Sequence, residues 1–283
     1  MSQNYADKKN TQGSNFMPNK NIELSEEVFK VYQKLIFSEI GISLDHTKRS
    51  LVQSRLYKRI LFYKLNSYTE YLRIVQINNS EKMEMLNLIT TNETYFFREE
   101  SHFNFLIKQL KHSDETFRVW SAASSVGAEA YTIAMILNNY LHRDTWEVLG
   151  SDINTEVIKK ARTGLYPLTW MDKIPDEYKK KYCLIGKGKY DKQFLVHRSL
   201  AKSVTFTKNN LMVKNREFGL FDIIFIRNVL IYFNDKTKEH VIKNIMANLK
   251  PNGYLIISLT ESLKHLKIKS LEQVATSIYQ KKG

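Results

Sequence analysis

FRVWSAASSVGAEAYTIAMILNNYLHRDTWEVLGSD, residues 117–152, decides the fold. Phe117 to Ala122 is a short apolar run that reads as a buried strand. Small residues from Ala123 to Gly127 make a tight turn. A helical pattern then runs from Ala128 to about Tyr140, with Tyr131, Ala134, Met135 and Leu141 spaced for an inward face. Trp146 to Gly150 is a second apolar run, ending in Ser151-Asp152. Strand, turn, helix, strand and acid, in that order, is how an open parallel sheet builds a nucleoside site. The turn brings backbone N–H groups to the ligand, and the acid accepts bonds from the ribose hydroxyls. Asp152 follows Gly127 by 25 residues, near the roughly 20 expected of such an acid.

Neither a GxGxxG fingerprint nor a GxxxxGK[ST] loop is present. One glycine at the turn, followed closely by Glu129, suits a cofactor without a pyrophosphate. A carboxylate there repels phosphate and pairs with a cationic amino-acid group. The ligand of that description is S-adenosylmethionine. The plainer alternative is an ordinary βαβ unit whose acid caps the next helix, Asn154 to Ala161.

The 283 residues suffice for one large domain or two modest ones, and 43% hydrophobic residues suffice for a core. No run of 18 apolar residues and no secretory start occurs, so a soluble cytoplasmic protein is expected. A single cysteine, Cys183, excludes an internal disulfide, and the seven scattered histidines show no metal spacing. The net charge of +14 favours an anionic partner, but its lysines are spread along the whole chain and equally suit simple solubility.

Residues 1–21 are polar and aperiodic, as expected of a disordered leader. An all-α domain is expected over 22–90. Ser25 caps its first helix, whose apolar stripe is Val28, Val31, Tyr32 and Leu35. Asp45 caps a second, with Val52, Leu56 and Ile60 inward and Lys48, Arg55 and Arg59 aligned along its flank. Two more helices span Ser67 to Val75 and Ser80 to Thr90. The basic row is either solvated surface or a docking face for an acidic helix or a phosphate backbone. Residues 91–116 form a linker and junction helix that opens with the aromatic anchors Tyr95-Phe96-Phe97 and with Arg98, an arginine close enough to reach the open end of the sheet.

The sheet domain is expected over 117–283. Residues 165–203 break its rhythm and read as a small antiparallel insertion. Phe221 to Ile226, apolar but for Asp222, reads as a central strand covered on both faces. It places Asn228 and Tyr232 at the carboxyl end, where open α/β sheets hold ligands. Asp235 is expected to cap a helix through Leu249, Pro251-Asn252-Gly253 to turn into a strand from Tyr254 to Leu259, and Val274 to Tyr279 to close the sheet as one antiparallel edge strand.

Four blocks in order, TNETYFFRE (91–99), WSAASSVGAEAYTIAM (120–135), SDINTEVIKKARTGLYP (151–167) and FDIIFIRNVLIYF (221–233), resemble the chemotaxis receptor methyltransferases. The resemblance runs from residue 24 to 281. It implies an N-terminal helical domain, a doubly wound Rossmann-like class I methyltransferase domain with a small β insertion, and S-adenosylmethionine-dependent methylation of glutamates on chemotaxis receptors. It also implies site residues. Arg98 and Tyr232 lie near the transferred methyl, Glu129 meets the amino-acid end of the cofactor, and Asp152 meets the ribose. Asn210 and Leu211 lie beside the adenine, and Asn228 lines the same cleft. Asn92, Thr94, Ala122 and Gly127 complete the cofactor's neighbours. Lys48, Arg55 and Arg59 would help dock the receptor's cytoplasmic methylation helices, and the insertion would take a peptide from the receptor's C-terminus. A monomer recruited to receptor arrays follows, with no nucleic acid bound and no insertion into the membrane.

Two departures from the family pattern stand out. Ser124-Ser125-Val126-Gly127-Ala128-Glu129-Ala130 replaces a Cys-Ser-Thr/Ser-Gly-Glu-Glu-Pro run, which is expected to weaken the cofactor site. Ser258-Leu259-Thr260-Glu261 replaces Gly-His-Ser-Glu, which is expected to crowd the cleft. The rival readings are a nucleic-acid methyltransferase, which lacks its NPPY or DPPY motif here, and a non-catalytic cofactor-binding adaptor.

Overall fold

The computed structural model describes residues 22–110, 116–142, 145–266 and 268–283. The expected leader and part of the linker lie outside the described residues. Four helices open the chain: α1 (Glu26–Ile40), α2 (Arg49–Phe62), α3 (Tyr68–Ile77) and α4 (Asn79–Ile89). Short polar side chains start three of them. Ser25 accepts from the Val28 N–H, Ser67 from that of Glu70, and Asn78 from those of Ser80 and Glu81. Asp45 caps the 3₁₀ turn His46–Lys48 that leads into α2, rather than α2 itself. The stripe on α2 is as expected, with Val52, Leu56 and Ile60 buried. On α1 the inward residues are instead Phe29, Tyr32, Ile36 and Ile40, and Val31 is exposed.

Helix α5 (Glu100–Gln109) joins this bundle to a seven-stranded sheet. The chain lays down β1 (Phe117–Ala122), α6 (Ala128–Tyr140), β2 (Trp146–Asp152) and α7 (Thr155–Thr163), as the opening stretch predicts. The insertion follows. It holds β3 (Leu165–Pro167), a 3₁₀ segment (Leu168–Lys173), α8 (Asp176–Tyr182), β4 (Cys183–Ile185) and β5 (Gln193–Val196), and its antiparallel sheet has the order β3-β5-β4. After α9 (Arg198–Ala201) come β6 (Val204–Lys208), β7 (Phe221–Ile226), α10 (Asp235–Met246), β8 (Leu249–Ile256), β9 (Leu271–Ala275) and β10 (Ile278–Lys281).

The large sheet has the order β6-β2-β1-β7-β8-β10-β9. Strands β6, β2, β1, β7 and β8 are parallel, so their carboxyl ends share one edge. The order reverses between β1 and β7, which puts the topological switch point above those two strands. Both faces are covered, and the strand period of two shows how. Val119, Ile223 and Phe225 face α5 and α6, whereas Trp120, Ala122, Ile224 and Ile226 face α10.

Three terminal expectations are corrected. Asn234, not Asp235, caps α10 by accepting from the Thr237 N–H. Pro251-Asn252-Gly253 lies inside β8 as a bulge against β7, with Asn252 at φ 61°. The single edge strand is instead the hairpin β9–β10, which turns at Thr276-Ser277.

Candidate active site

A cleft of about 550 Å³ lies where the carboxyl ends of β1, β2, β6 and β7 meet the helical domain. That volume is within the usual range for a small-molecule site. The helical domain supplies one wall through the loop Ile42 to Asp45, Lys48 and Arg55. Several bonds seat that wall. Ser43 N–H donates to the Tyr232 carbonyl (2.9 Å), and Asn210 Nδ2 donates to the Glu39 carbonyl (2.8 Å). Asn154 Nδ2 donates to the Asn87 carbonyl (3.0 Å) and to Thr90 Oγ1 (2.8 Å). Gly41 ends α1 at φ 74°, and a Cβ there would meet Met212 Sδ at 2.5 Å, so the domains approach at van der Waals distance.

The turn after β1 is organised by Asp152. Its two oxygens accept from the N–H groups of Ser125 and Asn154, each at 2.9 Å. Burial raises its pKa above the ordinary value, against the lowering effect of those bonds and of the Ile153 N–H. A carboxylate has about four acceptor positions, so Asp152 keeps capacity for hydroxyls in the cleft that it lines. The turn's own N–H groups are used differently from expectation. Those of Ser124, Ser125 and Gly127 donate to Ser151, Asp152 and Ser124 respectively. Gly127, at φ 88°, is outside the cleft lining. A Cβ there would meet Phe206 at 2.8 Å and Ala161 at 3.0 Å, so its role is close packing of the turn. Ala122 is also outside the lining and packs with Trp120 on the α10 side.

Glu129 sits at the start of α6, where its carboxylate accepts from Ser121 Oγ (2.6 Å) and pairs with Arg227 (2.8 Å). Arg227 is the residue that sequence reasoning passed over. Its side chain is only 2% exposed, and one guanidinium spans two carboxylates, Glu129 and, at 3.3 Å, Glu99. It also donates to the Arg98 carbonyl and lies over the Phe103 ring. Its visible signal was a charged residue directly after the apolar run Ile223 to Ile226 of the central strand. Glu99 accepts further from Ser258 Oγ (2.8 Å) and the Leu259 N–H (2.9 Å). Burial works to raise the pKa of Glu99, but Arg227 and these two donors outweigh it and leave the value lowered. The serine at 258 therefore does not crowd the cleft. Its hydroxyl is buried, bonded to Glu99 and to Asn228 Nδ2 (2.7 Å), and holds both in place.

The structure brings Asn92, Thr94, Arg98, Asn228 and Tyr232 into the same lining. Ser125 Oγ donates to the Asn92 carbonyl (2.9 Å), tying the 91–99 segment to the turn. Arg98 donates to the Glu93 carbonyl (3.2 Å), and no described carboxylate lies within ion-pair distance of it. Asn210 and Leu211 line the opposite end. The Asn210 amide is committed to Glu39 and the Met212 N–H, and its backbone carbonyl accepts from the Val213 N–H (3.0 Å). Lys48 and Arg55 face the cleft, with Arg55 bonded to the Ile89 carbonyl and to Thr91 Oγ1 (2.9 Å). Arg59 does not join them. It turns inward to make two bonds to buried Glu81 (2.8 and 2.6 Å), which also accepts from Tyr63 and Tyr71.

The residues present suit a sulfonium nucleoside. Two carboxylates, Asp152 and Glu129, stand where a phosphate would be repelled. Ser124 Oγ and Asn209 Nδ2, in residues of the same wall, have no described hydrogen-bond partner. Among the described residues no group of three or more His, Cys, Asp or Glu is placed to hold a metal, and no helix is long and apolar enough to cross a membrane.

Sheet order, switch-point cleft and carboxylate-lined turn together define a nucleoside-dependent transferase of the α/β class. The family model described as the SAM binding domain of CheR methyltransferase matches residues 92–279, and that of the CheR methyltransferase all-alpha domain matches residues 27–90. The chain belongs to the CheR methyltransferase family. A chemotaxis protein methyltransferase of Escherichia coli K12 is 36% identical over 251 residues, covering 87% of this chain and 88% of that protein. One from Borreliella burgdorferi is 34% identical over 279 residues, covering 93% and 97%. The protein is accordingly a methyltransferase that uses S-adenosylmethionine.

Proposed function

We propose that the chain esterifies glutamate side chains on the cytoplasmic helices of methyl-accepting chemotaxis receptors. Its homologues are named chemotaxis protein methyltransferases, and the cleft supports a carboxylate acceptor. The observation that carries the reading is electrostatic. Lys48, Arg55 and Arg98 face the cleft without a carboxylate partner among the described residues, whereas Arg59 and Arg227 are neutralised inside the protein. The lining also holds Asp45, Glu93, Glu129 and Asp152, so the attraction is local: an anionic side chain entering beside Arg98 meets a guanidinium with no described carboxylate at ion-pair distance.

Bound S-adenosylmethionine supplies an activated methyl group. A glutamate with a pKa near 4.3 is already ionised at neutral pH, so no general base is required of the protein. Arg98 holds the acceptor through one oxygen and leaves the other free to react. Tyr232, whose hydroxyl has no described partner, orients that free oxygen. Asp152 holds the ribose, Glu129 the cofactor's amino-acid end, and Asn210 with Leu211 the base. Asn92, Thr94 and Asn228 close the same wall. Lys48 and Arg55 dock the acidic face of the receptor helix; Arg59 has no part in this. Strand β4 is an edge of the small sheet, with Leu184 and Ile185 exposed, and suits a receptor peptide added as a further strand. The protein acts as a monomer where receptors cluster.

Labelled-methyl transfer to receptor-containing membranes tests this, with base-labile methanol release expected of an ester. Arg98→Ala should lower kcat at least tenfold, or about 1.4 kcal/mol. A rate within twofold of wild type would refute the role of Arg98, and base-stable label would refute ester formation.

A further inference from the structure

Tyr95, Phe96 and Phe97 point three ways. Phe96 is buried against Tyr166 (4.9 Å), Phe194 (5.7 Å) and Trp170 (6.4 Å) of the insertion. Phe97 lies against Phe103 and Tyr178. These contacts clamp the 3₁₀ segment Leu168–Lys173 to the stretch that carries Arg98. Tyr95 alone stays at the surface, 38% exposed, and its ring is shared by two cations. The Arg98 guanidinium lies 5.6 Å from the ring centroid and the Lys173 ammonium 5.8 Å. Lys173 is exposed and has no described carboxylate within ion-pair distance. Two like charges are thus held near each other by separate parts of the chain, each attracted to the ring face but neither neutralised.

Resting on the function proposed above, we infer that Lys173 is a specificity residue. It reads a second carboxylate on the target helix while the reacting glutamate meets Arg98. Because both cations share one ring, their separation is at most about two helical turns of roughly 5.4 Å each. Residues three or four apart on a helix face stand about 5–6 Å apart. An acid one or two turns from the acceptor therefore falls on Lys173 when the acceptor is seated. Lys173 is not itself among the cleft-lining residues and meets the cleft only through the Tyr95 ring at its rim, so it acts on recognition and not on the chemical step.

The test uses the full chain, a receptor cytoplasmic fragment and labelled S-adenosylmethionine. Lys173→Glu should raise the KM for the fragment about threefold to tenfold, with kcat within about twofold and cofactor affinity unchanged. Lys173→Arg should restore the wild-type KM. The difference should shrink in about 0.5 M salt, and vanish on fragments whose acids within two turns of the acceptor are glutamine. An unchanged KM in Lys173→Glu, or a difference that survives on the glutamine fragments, overturns the inference while leaving ester formation intact. No base-labile ester with the wild-type chain would overturn the function and this inference together.

Discussion

His102 gives the protein an acid sensitivity of definite sign. Its ring is 1% exposed, with Nε2 2.7 Å from Ser277 Oγ and Nδ1 3.4 Å from a Glu99 oxygen. The groups facing it are Glu99 on the approach to α5, Arg227 after β7, and Ser277 in the β9–β10 turn. Burial first, then the charge of Arg227, pushes its pKa from 6.5 down to about 4, with Glu99 pulling weakly the other way. The folded ring is therefore neutral at pH 7. Nε2 hydrogen-bonds Ser277 Oγ, whose hydroxyl also donates to the Thr276 carbonyl (2.7 Å), and Nδ1 makes no hydrogen bond among the described residues. Between pH 6.5 and 4 the unfolded chain binds a proton that the folded chain refuses. Stability is then fully present above 6.5 and declines on acidification by up to about 1.4 kcal/mol per pH unit, or about 3 kcal/mol across the window. Urea denaturation of wild type and His102→Gln at pH 7.5, 6.5 and 5.5 reads this directly, because glutamine reaches Ser277 without titrating. The wild type should lose about 1 kcal/mol more than the variant between pH 6.5 and 5.5. Parallel pH profiles, or a wild type that gains on acidification, would refute the reasoning.

Arg227→Met should cost about 3–5 kcal/mol in denaturation at pH 7.5, since Glu99 and Glu129 would stay buried without their shared counter-charge; a loss under about 1 kcal/mol would contradict this. Adding Glu99→Gln to that variant should return part of the stability, which the same measurement reads. Asp152→Asn should weaken S-adenosylmethionine binding at least tenfold in calorimetry, about 1.4 kcal/mol, and unaltered affinity would remove Asp152 from the ribose. Ala123 holds φ 64° with a Cβ, so Ala123→Gly should stabilise by up to about 1 kcal/mol and raise Tm by about 2–4 °C. A lower Tm would show that the turn is not strained.

What was legible in the chain was whatever local periodicity and punctuation determine. The strand–turn–helix–strand order of 117–152, the cap at Ser25, the start of a helix at Ser67 and the central strand 221–226 all lie where the residues alone put them. Helix α1 shows the limit. EVFKVYQKLIFSEI carries two adjacent apolar tracks, and only packing chose Phe29, Ile36 and Ile40 over Val28, Val31 and Leu35. Arg59 shows another, because its partner Glu81 stands in the first turn of α4, where an acid ordinarily faces water. The family pattern collected most of the cleft lining in advance. It could not reveal that Gly127 and Ala122 act through packing, or that Arg227 binds two acids from distant parts of the chain. Those facts depend on which side chains meet in space, such as Gly127 with Phe206 and Arg227 with Glu99 and Glu129.

The polar seam between α4 and the start of α7, with the Asn210–Glu39 bond beside it, bears on what remains if the gene is cut near residue 91. The catalytic half would carry bare amides at Asn154 and Asn210 and would lack one side of its nucleoside slot. Its capture of the cofactor should then depend on the first half being present, and separately expressed fragments should regain methyl transfer only on mixing. The all-α half and the catalytic half would in that sense be one machine divided by no usable boundary.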